Sequence, residues 1–430
     1  MSDILSDTYR NQLSALTGMI PSLDDVRTRA FKKFAETGFP SARSEDWRYS
    51  DLKTLRKNIF EQAAKPHSDA TIPATICKTA ARLVFTNGQY REDLSDLGDL
   101  WQAASIRPLA NHLMANPDRA SDLVHGNDGI AALNTALMRD GLVLNIPAGV
   151  EIDEPVEIIN VMSGAAEAAT HTRHLIELGE GAKLTVLERF IGDDSAYWVN
   201  TIMQARVTEG AVLKHIRLQE EGSNAVHTAK TFVSVGAEGR YDTCNISLGG
   251  LVARFEAHVR LLVDEATANI DGVALAATGQ SHDMVAHVDH RMPNTTSDQI
   301  FRTVAEARGK TAFQGKIVVA KDAQKTIADQ SFKALLLDRT AEANAKPELE
   351  IFADDVKCSH GATIGELDAK ALFYLTSRGI DPVTARQMLV EAFTDHALLR
   401  IPGEDLGDAV RDRISAWMQA RVNSATESAA

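Results

Sequence analysis

EGAKLTVLERFI at 180–191, EGAVLKHIRLQ at 209–219 and EGRYDTCNISL at 238–248 stand 29 residues apart, each a Glu-Gly pair followed by a run of Val, Leu, Ile, Thr and aromatic residues. The runs have the length and side chains of β-strands, and the glycine marks a turn ahead of each. A unit of this length holds two strands and two turns. It is what a stacked β-solenoid needs if each coil is to lay its strands over those of the coil before. The echo fades after Gly239, and a sandwich or barrel of hairpins shows turns at similar density, so pattern alone leaves both open.

Outward from this repeat the strand-like text runs from Leu142 to about Gly365. Between Pro155 and Pro347 the only proline is Pro293. On the N-terminal side, LSALTGMI and VRTRAFKKFAETG carry apolar residues at steps of three and four, with Asp24 and Asp25 as a helix start and Gly38 before Pro40 as a stop. Residues 63 to 140 mix strand candidates such as ARLVFTNGQY with helical pieces such as GIAALNTALMRD. On the C-terminal side, Asp381-Pro382 reads as an N-cap with proline at the first helical position. The helix that follows is expected to gather Val383, Met388, Leu389, Ala392 and Phe393 on its apolar side. A last helix is expected to do the same with Val410, Ile414, Trp417 and Val422. The expected organisation is an α-rich, α+β region over 1–140, a β core over 141–365 and a helical region over 366–430.

The 430 residues carry 45 Lys and Arg against 59 Asp and Glu, a formal net charge of -14. With 44% hydrophobic residues this is an ordinary globular balance, which excludes disorder and collagen-like repeats. No basic run offers a footprint for phosphate backbones or anionic membranes. The first 20 residues do not read as a secretion signal, and no apolar window is long enough to span a bilayer. Three scattered cysteines, Cys77, Cys244 and Cys358, suit a reducing compartment, so a cytoplasmic location is expected.

The residues with chemistry begin in PELEIFADDVKCSHGATIG, 347–365. Leu349 and Ile351 alternate with glutamates, and in the continuing strand Val356, Cys358 and His360 share one face. At about 3.3 Å per residue, Cys358 and His360 lie about 7 Å apart, and a thiolate and an imidazole at that spacing reach one soft or borderline metal. Two ligands are short of the four of a closed structural site, so a metal here would take its other ligands from another strand or chain. The alternative is a buried cysteine beside a hydrogen-bonded histidine. His282 and His290 in SHDMVAHVDH fall on one strand face and His287 on the other, which disfavours a zinc triad. Gly309-Lys310-Thr311 imitates the end of a phosphate-binding loop. Position 304 is Val304 where that loop needs glycine, and AFQGKIVVA reads as a strand where it needs a helix.

SEDWRYSDLK (44–53), FQGKIVVAKDAQKTIADQ (313–330), LLLD (335–338), KPELEIFADDVKCSHGATIGELD (346–368) and LFYLTSRGI (372–380) together resemble the SufB and SufD family of iron-sulfur assembly proteins. The lack of cysteine before Cys77 and the reading Cys358-Ser359-His360-Gly361 place the likeness nearer SufD than SufB. The resemblance implies a mainly β fold, a right-handed parallel β-helix core with helical N- and C-terminal domains. It implies a non-catalytic scaffold subunit in a complex with a SufB-like paralogue and a SufC-like ATPase, the latter docking on the C-terminal helices. His360 and Cys358 match the family's junction site for a transient iron-sulfur cluster shared with SufB. No cofactor is then bound tightly by this chain alone, and a homodimer is a further state for the isolated chain. Set against this stands a β-solenoid carbohydrate-active enzyme, a lyase or hydrolase with carboxylates in an exposed groove.

Overall fold

The computed structural model describes residues 3–50, 52–63, 71–123, 126 and 128–429. From Leu142–Ile146 to Lys357–Glu366 the chain lays down sixteen strands, dealt alternately to two sheets and paired in parallel with the strand one coil earlier. The core is therefore a parallel β-solenoid of about eight turns, and the sandwich and barrel readings drop out. The 29-residue echo is the coil itself: Leu184 pairs with Leu213, and Leu213 with Tyr241. Gly181 and Gly210 adopt φ of 65° and 61° at the turns, where a side chain is strained. In the third copy Glu238 takes that conformation instead, at φ 52°, so the dipeptide loses its meaning there.

Alternation sorts every strand into a lumen face and an outer face. Leu184, Val186, Met203, Leu213, Phe301, Phe313 and Phe332 fill the lumen as one apolar cluster. The outer face of one sheet is covered by N-terminal segments, which pack Phe34, Phe39 and Trp47 around Trp198. The outer face of the other meets the C-terminal helices through Ile216, Cys244, Ile246 and Leu248. Helix Asp24–Thr37 carries Asp24 and Asp25 in its first turn and ends at Gly38, φ 66°. Asp381 caps helix Pro382–Asp395 by accepting from the Val383 and Thr384 backbone N–H groups, with Pro382 at its start. Among the described residues no helix is long and apolar enough to cross a membrane.

Of the two apolar stripes expected on the C-terminal helices, the solenoid covers only the second. In Pro382–Asp395 the buried residues are Ala385, Val390 and Thr394, whereas Val383 and Met388 are exposed. The solenoid surface, through Val390, decides which side of the helix is covered. In Glu404–Ala429, by contrast, Val410, Ile414 and Trp417 are buried against the solenoid, and the Trp417 indole donates to the Leu248 carbonyl at 2.9 Å. That stripe is already covered by the chain's own core. The Val422 side chain lies outside the described residues.

Candidate functional site at the last coil

The solenoid is closed at one end and open at the other. At the N-terminal end its first coil is flanked by the antiparallel strands Gln89–Tyr90 and Ser105–Pro108. At the other end Glu342–Ile351 and Lys357–Glu366 are the terminal strands of the two sheets, and no described strand pairs beyond them. Their outer edges carry unpaired backbone N–H and C=O groups, an arrangement that templates pairing with another strand. Among the described residues the lumen rows also stop without a lid. Ile351 is 40% and Ile364 47% exposed.

Register places the candidate residues in these rows. One column runs Leu184, Leu213, Tyr241, Ala268, Ser297, Ala328, Cys358. The next runs Val186, His215, Thr243, Ile270, Gln299, Gln330, His360. Cys358 and His360 are thus the last lumen-facing members of adjacent columns, on one face as the alternation of the sequence implies. Cys358 is half-buried against Ala328 and Val356, in a small cluster with Ile317 and Val319. Burial, and then the charge of Asp329, push its thiol pKa up. In the isolated chain it is a protonated thiol, which a metal or a cationic partner must convert to thiolate. His360 is exposed. Between them Ser359 points outward and donates to Asp329 Oδ1. Among the described residues no three His, Cys, Asp or Glu side chains converge on one point.

The histidine cluster separates as expected. His282 faces the lumen with Nδ1 3.3 Å from Ser247 Oγ and Nε2 3.4 Å from the Gly250 carbonyl. His290 also faces the lumen, bracketed by Thr295 and Ser297 hydroxyls at 2.8 and 2.9 Å. Burial takes both to a pKa of about 4. His287 lies on the outer face beside His258, ring centroids 5.9 Å apart. Lys310 opens strand Lys310–Val319, which is paired on both sides, and bonds Glu342 at 3.0 Å, so the phosphate-loop imitation is the start of an interior strand.

A cleft of about 720 Å³ separates the N-terminal segments from the outer sheet face. Its floor is an ion-paired layer. Glu256 accepts from Arg254 at 2.7 Å and Lys230 at 2.5 Å, and the Arg254 guanidinium lies 4.0 Å from the Trp47 ring centroid. Although burial opposes it, Lys230 and Arg254 hold the Glu256 carboxyl well below the usual range. A carboxylate so held is a poor general acid. Sequence reasoning missed this layer and the lumen glutamines Gln299 and Gln330. The glutamines carry a signal, since 31 residues, one coil, separate them.

The fold is a parallel β-solenoid whose last coil keeps free strand edges among the described residues. Residues 160–393 match the family model described as the SUF system FeS cluster assembly SufBD core domain, and residues 3–158 match the SufBD protein N-terminal region. The iron-sulfur cluster assembly protein SufD of Escherichia coli is 30% identical over 392 residues, covering 89% of this chain and 90% of that one. An iron-sulfur cluster assembly SufBD family protein of Synechocystis is 29% identical over 393 residues, 87% of each chain. A chloroplastic Arabidopsis thaliana protein, ABCI7, is 28% identical over 430 residues, 95% of this chain and 89% of that one. This chain belongs to the SufBD family of the SUF iron-sulfur assembly system. Within that family it is most like SufD.

Proposed function

We propose that this chain is a SufD-like, non-catalytic scaffold subunit in the cytoplasm, and that its open last coil is the surface completed by a SufB-like paralogue. The observation that carries the reading is the pairing of two features at one place: free edges on both terminal strands, and a thiol and an imidazole as the last lumen-facing groups of adjacent columns. A partner strand adding to Lys357–Glu366 satisfies the backbone edge and covers Ile364. It also brings side chains opposite Cys358 and His360. Those two supply a soft and a borderline donor, and the remaining ligands of a nascent iron-sulfur cluster come from the partner. The cluster is cargo, held transiently because neither chain alone closes the site. In isolation the same edges support a homodimer.

A SufC-like ATPase fits the other exposed apolar surface. Helix Ala369–Ser377 has no buried residue, with Phe373 73% exposed, and Val383 and Met388 are exposed on the next helix. ATP chemistry then belongs to that partner. The lyase or hydrolase alternative is not favoured. The family models cover most of the chain, and the cleft carboxylate Glu256 is locked in ion pairs.

The test is cluster assembly by the reconstituted complex. His360→Ala should cut it strongly with little change in folding, since an exposed ligand contributes to chemistry more than to packing. Cys358→Ser should match it if the thiolate is a ligand, and should fall well short if the cysteine only packs. Full assembly by both single variants and by the double variant refutes the shared site.

A further inference from the structure

The lumen column beneath His360 holds two amides, with Ala328 beside Gln330 in one neighbouring column and Phe301 and Phe332 in the other. Gln299 and Gln330 are stacked in register, 0% and 2% exposed, with Phe301 and Phe332 two residues along each strand. Gln330 Nε2 donates to Gln299 Oε1 at 2.9 Å. This single bond leaves Gln330 Oε1 and Gln299 Nε2 buried without partners. A buried amide oxygen left unpaired carries an uncompensated desolvation cost, which a ring N–H would relieve. The space for the amide is also reserved across the lumen, because a Cβ on Gly315 would stand 2.1 Å from Gln330 Nε2 and 2.5 Å from Gln330 Cδ. The next residue in the column is His360, on the same lumen face and with no coil above it.

We infer that Gln330 is a positioning residue for His360: its orphaned Oε1 accepts a ring N–H when the imidazole turns inward, which holds one tautomer and presents the other nitrogen beyond the last coil. A ligating histidine commonly donates its second nitrogen to a carbonyl or carboxylate in this way, fixing both the ring plane and the nitrogen that carries the lone pair. Gln299 anchors the amide from below, and Gly315 leaves room for it. The inference rests on the reading of His360 as a donor at the shared site, but the positioning contact lies wholly within this chain and can be read without any metal.

The experiment is nitrogen-15 NMR of the full chain labelled at histidine, with the His360 ring assigned by its loss in His360→Ala, and the tautomer ratio measured in the neutral form. The wild type should favour one tautomer. Gln299→Met/Gln330→Met replaces both ladder members by apolar side chains of similar length, so the fold is retained, and should move the ratio about fivefold toward that of free histidine, the factor set by one hydrogen bond of about 1 kcal/mol. Gln299→Met alone keeps the acceptor but removes its anchor, so it should move the ratio in the same direction by less than the double variant does. Gly315→Ala, which displaces the amide, should move it as the double variant does. One ratio shared by wild type, the double variant and Gly315→Ala overturns the inference. Full cluster assembly by His360→Ala and Cys358→Ser, singly and together, overturns the shared-site reading instead, whatever the tautomer shows.

Discussion

Arg400, in the turn between the last two helices, clamps the C-terminal segment to the solenoid. Its Nε donates to Asp271 at 2.7 Å, a second nitrogen reaches the same carboxylate, and Nη1 lies 2.7 Å from Asp298 and 3.3 Å from Asn269 Oδ1. The Asp271 side chain is 3% exposed, and burial raises its pKa to about 6 against the pull of Arg400. An acid whose folded pKa exceeds its unfolded value binds its proton more tightly when folded, so this group favours folding below about pH 4 and loses that contribution as pH rises through 6. The difference between about 6 and the ordinary 3.8 corresponds to about 3 kcal/mol lost by neutral pH. Arg400→Met removes the cation hydrogen-bonded to Asp271 and leaves the charge of Arg302 as a weaker counterweight. At pH 8 the poorly compensated buried carboxylate should weaken attachment of the helices by about 3 kcal/mol, the lower end of what breaking a buried pair costs, because the arginine is itself 24% exposed and Arg302 still faces Asp271. At pH 5 Asp271 takes up a proton and most of that loss should disappear. Hydrogen exchange of helix Pro382–Asp395, corrected for intrinsic rates at each pH, reads this directly. Exchange at pH 8 should accelerate on the order of 100-fold in the variant, with the solenoid strands unchanged. Adding Asp271→Asn should return much of the protection. Equal losses at pH 5 and pH 8, or less than a threefold change at pH 8, would refute the argument that an uncompensated carboxylate is the cause.

Inside the lumen, Glu188 accepts from Arg217 Nε at 2.8 Å and stands 3.1 Å from His215 Nε2; although burial opposes it, Arg217 and His215 hold its carboxyl well below the usual range. Arg217→Met should therefore cost about 3–5 kcal/mol in urea unfolding at neutral pH, and a change under 1 kcal/mol would show that the network is dispensable. Met388→Glu, on the exposed side of its helix, should abolish copurification of the SufC-like ATPase without altering the circular dichroism of the chain. Retained copurification would place that partner elsewhere. Lys310→Ala, at the start of an interior strand, should leave ATP turnover of the assembled complex unchanged; loss of turnover with the complex intact would mean that Lys310 has a role beyond its pairing with Glu342.

The core was legible because a solenoid writes its period into the chain. Residues one coil apart share an environment, so Glu180-Gly181 returns as Glu209-Gly210, and Leu184 returns as Leu213. Period-two alternation likewise put Cys358 with His360, and separated His287 from His282 and His290, without knowledge of any contact. The C-terminal helices were not legible to the same degree. Pro382–Asp395 has apolar residues around much of its circumference, and only the docked solenoid face chose Val390 over Met388. Arg400 and Asp271 lie 129 positions apart, with no local signal joining them. The sequence by itself determined a repeating set of strands, one reading of which was a solenoid, and the order of side chains along its last strand. That this strand has no successor among the described residues, so that Cys358 and His360 become the mouth of a lumen and Gln330 the floor beneath them, was decided only by tertiary structure, because a lumen column is made of residues a whole coil apart and exists only once the coils are stacked.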